Sequence, residues 1–247
     1  METLKDMALA LQFMTRVPIR FKALHPQRLN RAVAWFPLAG LLIGGLASLC
    51  YMFLVPHFGR PLSATIAVFA MVMLTGALHE DGLADCADAF GGGWTREDRL
   101  RIFKDSRIGT FGGVALILSL GARIQLLASI PANQIVGYLV AAQVLARWTP
   151  LPLGALLSPV RGSEGQGSRI AGRTSWISVA IGTILTLASA SYFLRSSAWL
   201  PALAVVFVTA VSGLYYSRRI GGITGDCMGA TIQISEIAVY LCGAFMR

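Results

Sequence analysis

The sequence predicts an all-α, polytopic integral membrane protein, a single domain over residues 1–247 with about seven transmembrane helices and an N-terminal amphipathic helix. Three observations carry that expectation. Of the 247 residues, 55% are hydrophobic and only 13% charged, against roughly 25% charged in an ordinary soluble domain. The mean hydropathy is +0.64. The apolar residues fall into runs near the ~20 residues that a helix needs to cross a bilayer core. Together these exclude a water-soluble enzyme and a disordered chain. A nucleic-acid binder is excluded too, despite a net charge of +9, because the basic residues stand between apolar runs rather than along one groove.

The elements follow in order. Met1 to Arg20 does not read as a cleavable signal, since its apolar stretch (Met7 to Met14) is short and no small-residue cleavage site follows. With Glu2 and Asp6 before that stretch and basic residues after it, it reads as an amphipathic helix on a membrane surface. Candidate spans then cover about 33–55, 62–79, 111–130, 133–157, 175–194, 198–217 and 228–246. Gly40, Gly44, Gly45, Gly121 and Gly182 within them suit close helix packing in lipid. Pro150 and Pro152 should kink the fourth span. The four cysteines form no CxxC pair and read as small apolar fillers.

Orientation comes from the basic residues. With the N-terminus inside, 16 of the 21 Lys and Arg fall in inside segments and three (Arg60, Arg195, Arg247) outside. Arg123 and Arg147 lie within spans. Such a split is a strong positive-inside signal and favours an odd number of crossings, seven or, if two weak spans are re-entrant, five, with a cytoplasmic site as the expected setting.

The acidic residues are the informative minority. None lies in an expected outside loop, and Glu80, Asp81, Asp85, Asp88 and Asp105 share the inside segment after the second span. Carboxylates at a membrane surface are costly unless paired or bound to a cation. In His79-Glu80-Asp81-Gly82-Leu83-Ala84-Asp85-Cys86-Ala87-Asp88, spacings of four and three put Asp81, Asp85 and Asp88 within about 60° of one helix face. Hard oxygen ligands of this kind suit Mg²⁺ or Mn²⁺, whereas His79 as the one nearby imidazole does not suggest zinc. The alternative is a solvated acidic helix start.

Two further motifs stand at the same face. Asp105-Ser106-Arg107-Ile108-Gly109-Thr110-Phe111-Gly112-Gly113 opens the third span. A Gly-rich turn at a helix N-terminus offers backbone N–H groups and the helix dipole to phosphate, and Arg107 can add a bidentate contact. The alternative is a capped loop. Gly221-Gly222-Ile223-Thr224-Gly225-Asp226 repeats the pattern before the last span, with Asp226 as a further ligand or general base, or else a capped turn. Of the interior charges, Arg147 can line a cavity opened by the proline kink, while Glu236 with either arginine can form a structural ion pair. The Gly- and Arg-rich stretch from Arg161 to Thr174 reads as a mobile basic loop that closes over an anionic substrate or serves topology alone.

Metal-binding carboxylates, arginines and glycine turns on one membrane face point to transfer on a phosphorylated substrate. No P-loop and no Ser-His-Asp set is present. The run H-x-D-G-L-A-D-x-x-D (His79 to Asp88), then D-S-R-x-G-T-x-G-G (Asp105 to Gly113), then T-G-D (Thr224 to Asp226) resembles the cobalamin synthase family, the adenosylcobinamide-GDP ribazoletransferases. F-x-T-R-x-P (Phe13 to Pro18) and the run Phe36 to Gly44 fit it as well.

The resemblance implies that α-ribazole, or its 5′-phosphate, attacks the cobinamide-bound phosphorus of adenosylcobinamide-GDP, releasing GMP, with Mg²⁺ as cofactor. It implies Asp81, Asp85 and Asp88 as metal ligands, with one of them or Asp226 as base. Substrate contacts are expected from His79, Asp105, Ser106, Arg107, Gly109, Thr110, Gly112, Gly113, Arg147, Thr224, Gly225 and Glu236. The partners implied are the membrane and these small molecules; a homo-oligomer is left open. D-G-x-x-A also echoes the CDP-alcohol phosphotransferases, although Asp85 stands where their arginine would follow Ala84. A cation-coupled carrier is the rival from another class, but carriers place such charges near the bilayer midplane.

Overall fold

Helix α3 (Phe36–Thr75) has 40 residues and would be about 60 Å long if straight. Both of its ends nevertheless meet one short segment. The Phe13 ring stacks on Phe36 at 5.2 Å, and the Arg16 N–H donates to the Leu74 carbonyl at 2.7 Å. The helix therefore doubles back. The break is at Gly59, whose φ of 71° lies outside any helix, with Pro56 and Pro61 on either side. Legs 36–58 and 60–75 are the first two expected spans.

The computed structural model describes residues 2–19, 26–160 and 170–246. Its remaining helices are α1 (Glu2–Met14), α2 (Pro26–Ala32), α4 (Leu78–Gly92), α5 (Arg96–Ile102), α6 (Thr110–Ser129), α7 (Ile135–Trp148), α8 (Pro150–Leu156), α9 (Trp176–Leu194), α10 (Trp199–Ile220) and α11 (Gly225–Phe245). The protein is a polytopic, all-helical membrane protein. Among the described residues, five helices, α3 among them, are long and apolar enough to cross a membrane.

Three expectations need correction. The second span does not run on to residue 79. Gly76 and Ala77 take left-handed φ values of 66° and 58°, so the acidic motif starts a helix of its own. A side chain at Gly76 would collide with that of Arg16. The fourth span is two helices, α7 and α8, separated at Thr149 by the expected proline break. The N-terminal helix exists, but Leu9, Ala10 and Met14 are buried in a core cluster shared with Phe36 and Ala39. Protein, not lipid, covers most of its apolar face.

The chain passes back and forth between two ends of the bundle. At one end, Arg60 beside the Gly59 break donates to the Ile130 carbonyl after α6, and the Tyr138 hydroxyl near the start of α7 donates to Met246 Sδ at 3.6 Å. The opposite end gathers the starts of α6 and α11. Apolar side chains such as Phe53, Phe69, Ile117, Ile184 and Phe207 stay exposed on the outer faces, as a lipid-facing surface requires.

Small residues set the closest crossing. A methyl on Gly40 would lie 2.7 Å from the Gln143 carbonyl carbon, and one on Gly44 2.7 Å from Val140 Cα, whereas Gly45 has nothing within 4 Å. Backbone cannot yield as a side-chain tip can, and overpacking of this kind costs about 1–3 kcal/mol. Gly40→Ala should lower the melting temperature of the detergent-solubilised protein, and Gly45→Ala should leave it unchanged.

Candidate active site

Helix α4 is wedged between α6 and α11 and runs antiparallel to both. Towards α11, a methyl on Gly82 would lie 2.8 Å from the Asp226 carbonyl oxygen, and Glu80 Oε1 accepts from Gln233 Nε2 at 3.2 Å. Towards α6, Asp88 meets Gly109 and Gly112, while Glu80 meets Arg123. One end of this trio therefore holds Asp81, Asp85 and Asp88 together with the N-termini of two helices. Those termini carry partial positive charge and N–H groups without partners inside their own helices.

Local sequence explains the turn before α11. Gly221, at φ 72°, ends α10. Ile223 is held by a short parallel bridge: its N–H donates to the Ser158 carbonyl at 3.0 Å, and its own carbonyl accepts from the Val160 N–H at 3.2 Å. The Thr224 hydroxyl accepts the Cys227 N–H at 3.2 Å, the N-cap arrangement that starts a helix. Gly225 and Asp226 are the first residues of α11. Arg96 Nε donates to the Ile220 carbonyl at 2.9 Å, so a residue read only as a topology charge also caps the end of α10.

The carboxylates differ in exposure. Asp81 is exposed, Asp85 and Asp226 are half-buried, and Asp88 is buried. Burial, and then repulsion from Asp81, Asp226 and Asp88, pushes the Asp85 carboxyl up to about 7. The four acids thus form one electrostatic cluster across α4 and α11. Asp88 Oδ2 accepts the Gly109 N–H at 2.7 Å and Oδ1 the Gly112 N–H at 2.8 Å.

Among the described residues, no three Asp, Glu, His or Cys side chains converge into a preformed metal cage. Mg²⁺ does not need one, since it binds through one or two carboxylates and completes its shell with water and substrate phosphate. The hard oxygens of Asp81, Asp85 and Asp226, and the repulsion among them that a cation would offset, fit such an ion.

The expected phosphate turn is at the same end. Asp105, Ser106, Arg107, Gly109 and Thr110 are exposed, Gly113 is half-buried and Gly112 is buried. Arg107 is paired with Asp105 at 2.7 Å, and its guanidinium holds the Asp105 carboxyl down to about 2. Arg107 is therefore solvent-facing with its fork already engaged.

Other expected residues lie deeper. Glu236 is ten residues beyond Asp226, about 15 Å along α11. Its oxygens bind Arg147 at 3.1 Å and Arg123 at 3.2 Å. Arg123 also binds Glu80 at 2.8 Å, and Arg147 binds Gln143 Oε1 at 2.7 Å. All four charges are buried. Arg147 and Glu236 thus belong to an interior ion network and are not brought to the carboxylate face. His79 is buried too, with its backbone against Gly229. Sequence reasoning missed Glu80, Gln143 and Gln233 as members of the network. The signal was available: two arginines inside spans against one glutamate call for a second anion. Of the expected basic loop, residues 161–169 lie outside the described residues.

Comparison with known proteins adds an independent line. The model of the family described as Cobalamin-5-phosphate synthase matches residues 6–244. A relative from Sinorhizobium medicae is 41% identical over 95% of this chain and 94% of its own length. One from Ralstonia pickettii is 38% identical over 93% and 91%, and one from Thermoanaerobacter pseudethanolicus 33% identical over 98% of each. All three are named adenosylcobinamide-GDP ribazoletransferase. No solved structure matches the chain.

Proposed function

This chain belongs to the Cobalamin-5-phosphate synthase family, and we propose that it is a Mg²⁺-dependent adenosylcobinamide-GDP ribazoletransferase. The observation that carries this reading is the meeting of four neighbouring carboxylates with two helix N-termini at one end of the bundle. The acceptor is α-ribazole or its 5′-phosphate. Its ribose hydroxyl forms a new P–O bond to the cobinamide-bound phosphorus, the bond from that phosphorus to the bridging oxygen breaks, and GMP leaves with that oxygen. The hydroxyl proton passes to a carboxylate of the cluster. Asp81 and Asp85 on α4 and Asp226 on α11 are the residues that would hold the cation. When bound, a divalent cation neutralises diphosphate charge, including that developing on the departing GMP oxygen. Asp88 already takes the Gly109 and Gly112 N–H groups and Thr224 that of Cys227, so the remaining N–H groups at the starts of α6 and α11 would meet the phosphates.

The excess of basic residues on the carboxylate side supports an inner-membrane protein whose site faces the cytoplasm. A carrier would hold its acidic cluster near mid-membrane, whereas Asp81 and Asp85 lie at a bundle end.

Purified protein in nanodiscs should release GMP from adenosylcobinamide-GDP only with α-ribazole, or its phosphate, and Mg²⁺ present. EDTA should stop the reaction and added Mg²⁺ restore it. GMP release unaffected by EDTA would remove the cation from the mechanism. CMP release from a CDP-alcohol, with no GMP release, would reassign the donor.

A further inference from the structure

We infer that Asp88 is a positioning residue: its carboxylate fastens the Gly109–Gly113 turn to α4 and leaves the cation to Asp81, Asp85 and Asp226. This deepens the reading of the site given above and rests on it for the identity of the donor.

The first argument is hydrogen bonding. The N-cap of α6 is Gly109, which has no side chain to cap its own helix. In an ordinary cap, the N-cap side chain accepts the N–H of the third helical residue. Here Asp88 does so from another helix, taking the Gly112 N–H at 2.8 Å and the Gly109 N–H at 2.7 Å. Both are of the short, charge-assisted kind, and each carboxylate oxygen is engaged.

The second argument is steric. A methyl on Gly109 would lie 2.9 Å from Asp88 Cγ. One on Gly112 would lie 3.0 Å from Asp88 Cγ and 3.0 Å from the Ala84 carbonyl oxygen. Gly113, next in sequence, has nothing within 4 Å. Two glycines of the motif are thus required by the approach of Asp88, and the third is not.

The third argument is reach. Asp81 and Asp88 share a face but lie about 10.5 Å apart along the axis. With bonds of about 2.0–2.1 Å, one Mg²⁺ is better matched to carboxylates one turn apart than to this pair two turns apart. Asp81 and Asp85 are a single turn apart, and Asp226 crosses α4 at Gly82, between them.

The test uses the full chain in nanodiscs, with Mn²⁺ as the probe. Asp88→Asn should speed amide exchange at Gly109 and Gly112 by about 10-fold or more, while Mn²⁺ affinity by EPR stays within about 2-fold of wild type. Asp85→Asn should do the reverse. In turnover, Asp88→Asn should raise the KM for the GDP-activated donor without moving the Mg²⁺ activation constant; a purely structural defect would lower kcat alone. Gly112→Ala should behave as Asp88→Asn does, and Gly121→Ala, further along α6 with nothing within 4 Å of an added methyl, as wild type, which keeps the test open if Asp88→Asn fails to fold. Loss of Mn²⁺ binding in Asp88→Asn with the two amides still protected would overturn the assignment, as would a wild-type protein that binds no Mn²⁺. Exchange and EPR need no turnover, so a wild-type protein that binds Mn²⁺ yet releases no GMP defeats the proposed reaction alone.

Discussion

Asparagine at position 85 is expected to lower GMP release by about 10²- to 10⁴-fold, the range for loss of a positioned proton acceptor, without lowering the melting temperature. Asp85→Asn preserves shape and removes one anionic oxygen from the cation's donor set. Stability should move the other way from activity. Burial and the neighbouring acids raise this carboxyl from its ordinary value to about 7, so the fold disfavours its charged form. That penalty sets in above the unfolded value near 4, is complete above about 7, and is absent from the neutral amide. At pH 8 without divalent cation, the variant should therefore melt no lower than wild type. Parallel GMP-release and melting measurements check this, and near-normal turnover would take Asp85 out of the reaction.

The parts of the fold legible in sequence were those set by local composition. Apolar runs located the long apolar helices, and Pro150 located the break between α7 and α8. The break at Gly76 was not legible, because Leu-Thr-Gly-Ala-Leu-His reads as one continuing apolar stretch and glycine is common in membrane helices. Only the Arg16 side chain packed there, from far along the chain, shows why that glycine turns left-handed. The site divides in the same way. The i, i+4, i+7 spacing placed three aspartates on one face, and the helix over Leu78–Gly92 keeps them there. Spacing could not separate Asp88 from the other two, since its partners are backbone groups 21 and 24 residues away. Nor could it show that Arg107 is engaged by Asp105. Glu80 is next to Asp81 in sequence but rotated by about 100°, which turns it from the carboxylate face to Arg123.

That rotation matters for the second large effect, expected on removing Arg123. Arg123 and Arg147 face Glu80 and Glu236, two positive charges against two negative, all in the interior. Polar neighbours complete the set: Gln233 donates to Glu80 at 3.2 Å, and Gln143 accepts from Arg147 at 2.7 Å. The network joins α4, α6, α7 and α11, three of which form the site. Arg123→Met leaves Glu236 with Arg147 but Glu80 with only the Gln233 amide, and breaking a buried pair from one side costs about 3–5 kcal/mol. The double variant Arg123→Met with Glu80→Gln restores neutrality, with Arg147 still on Glu236. It should recover most of that loss, because the uncompensated charge, rather than the missing contact, dominates the penalty. A double-mutant cycle on melting or denaturant midpoints reads the difference directly. If the single variant proves as stable as wild type, the four charges do not hold these helices in register, and the placement of Asp85 against Asp226 must come from the backbone contacts of α4 with α11, at Gly82 with Asp226 and at His79 with Gly229.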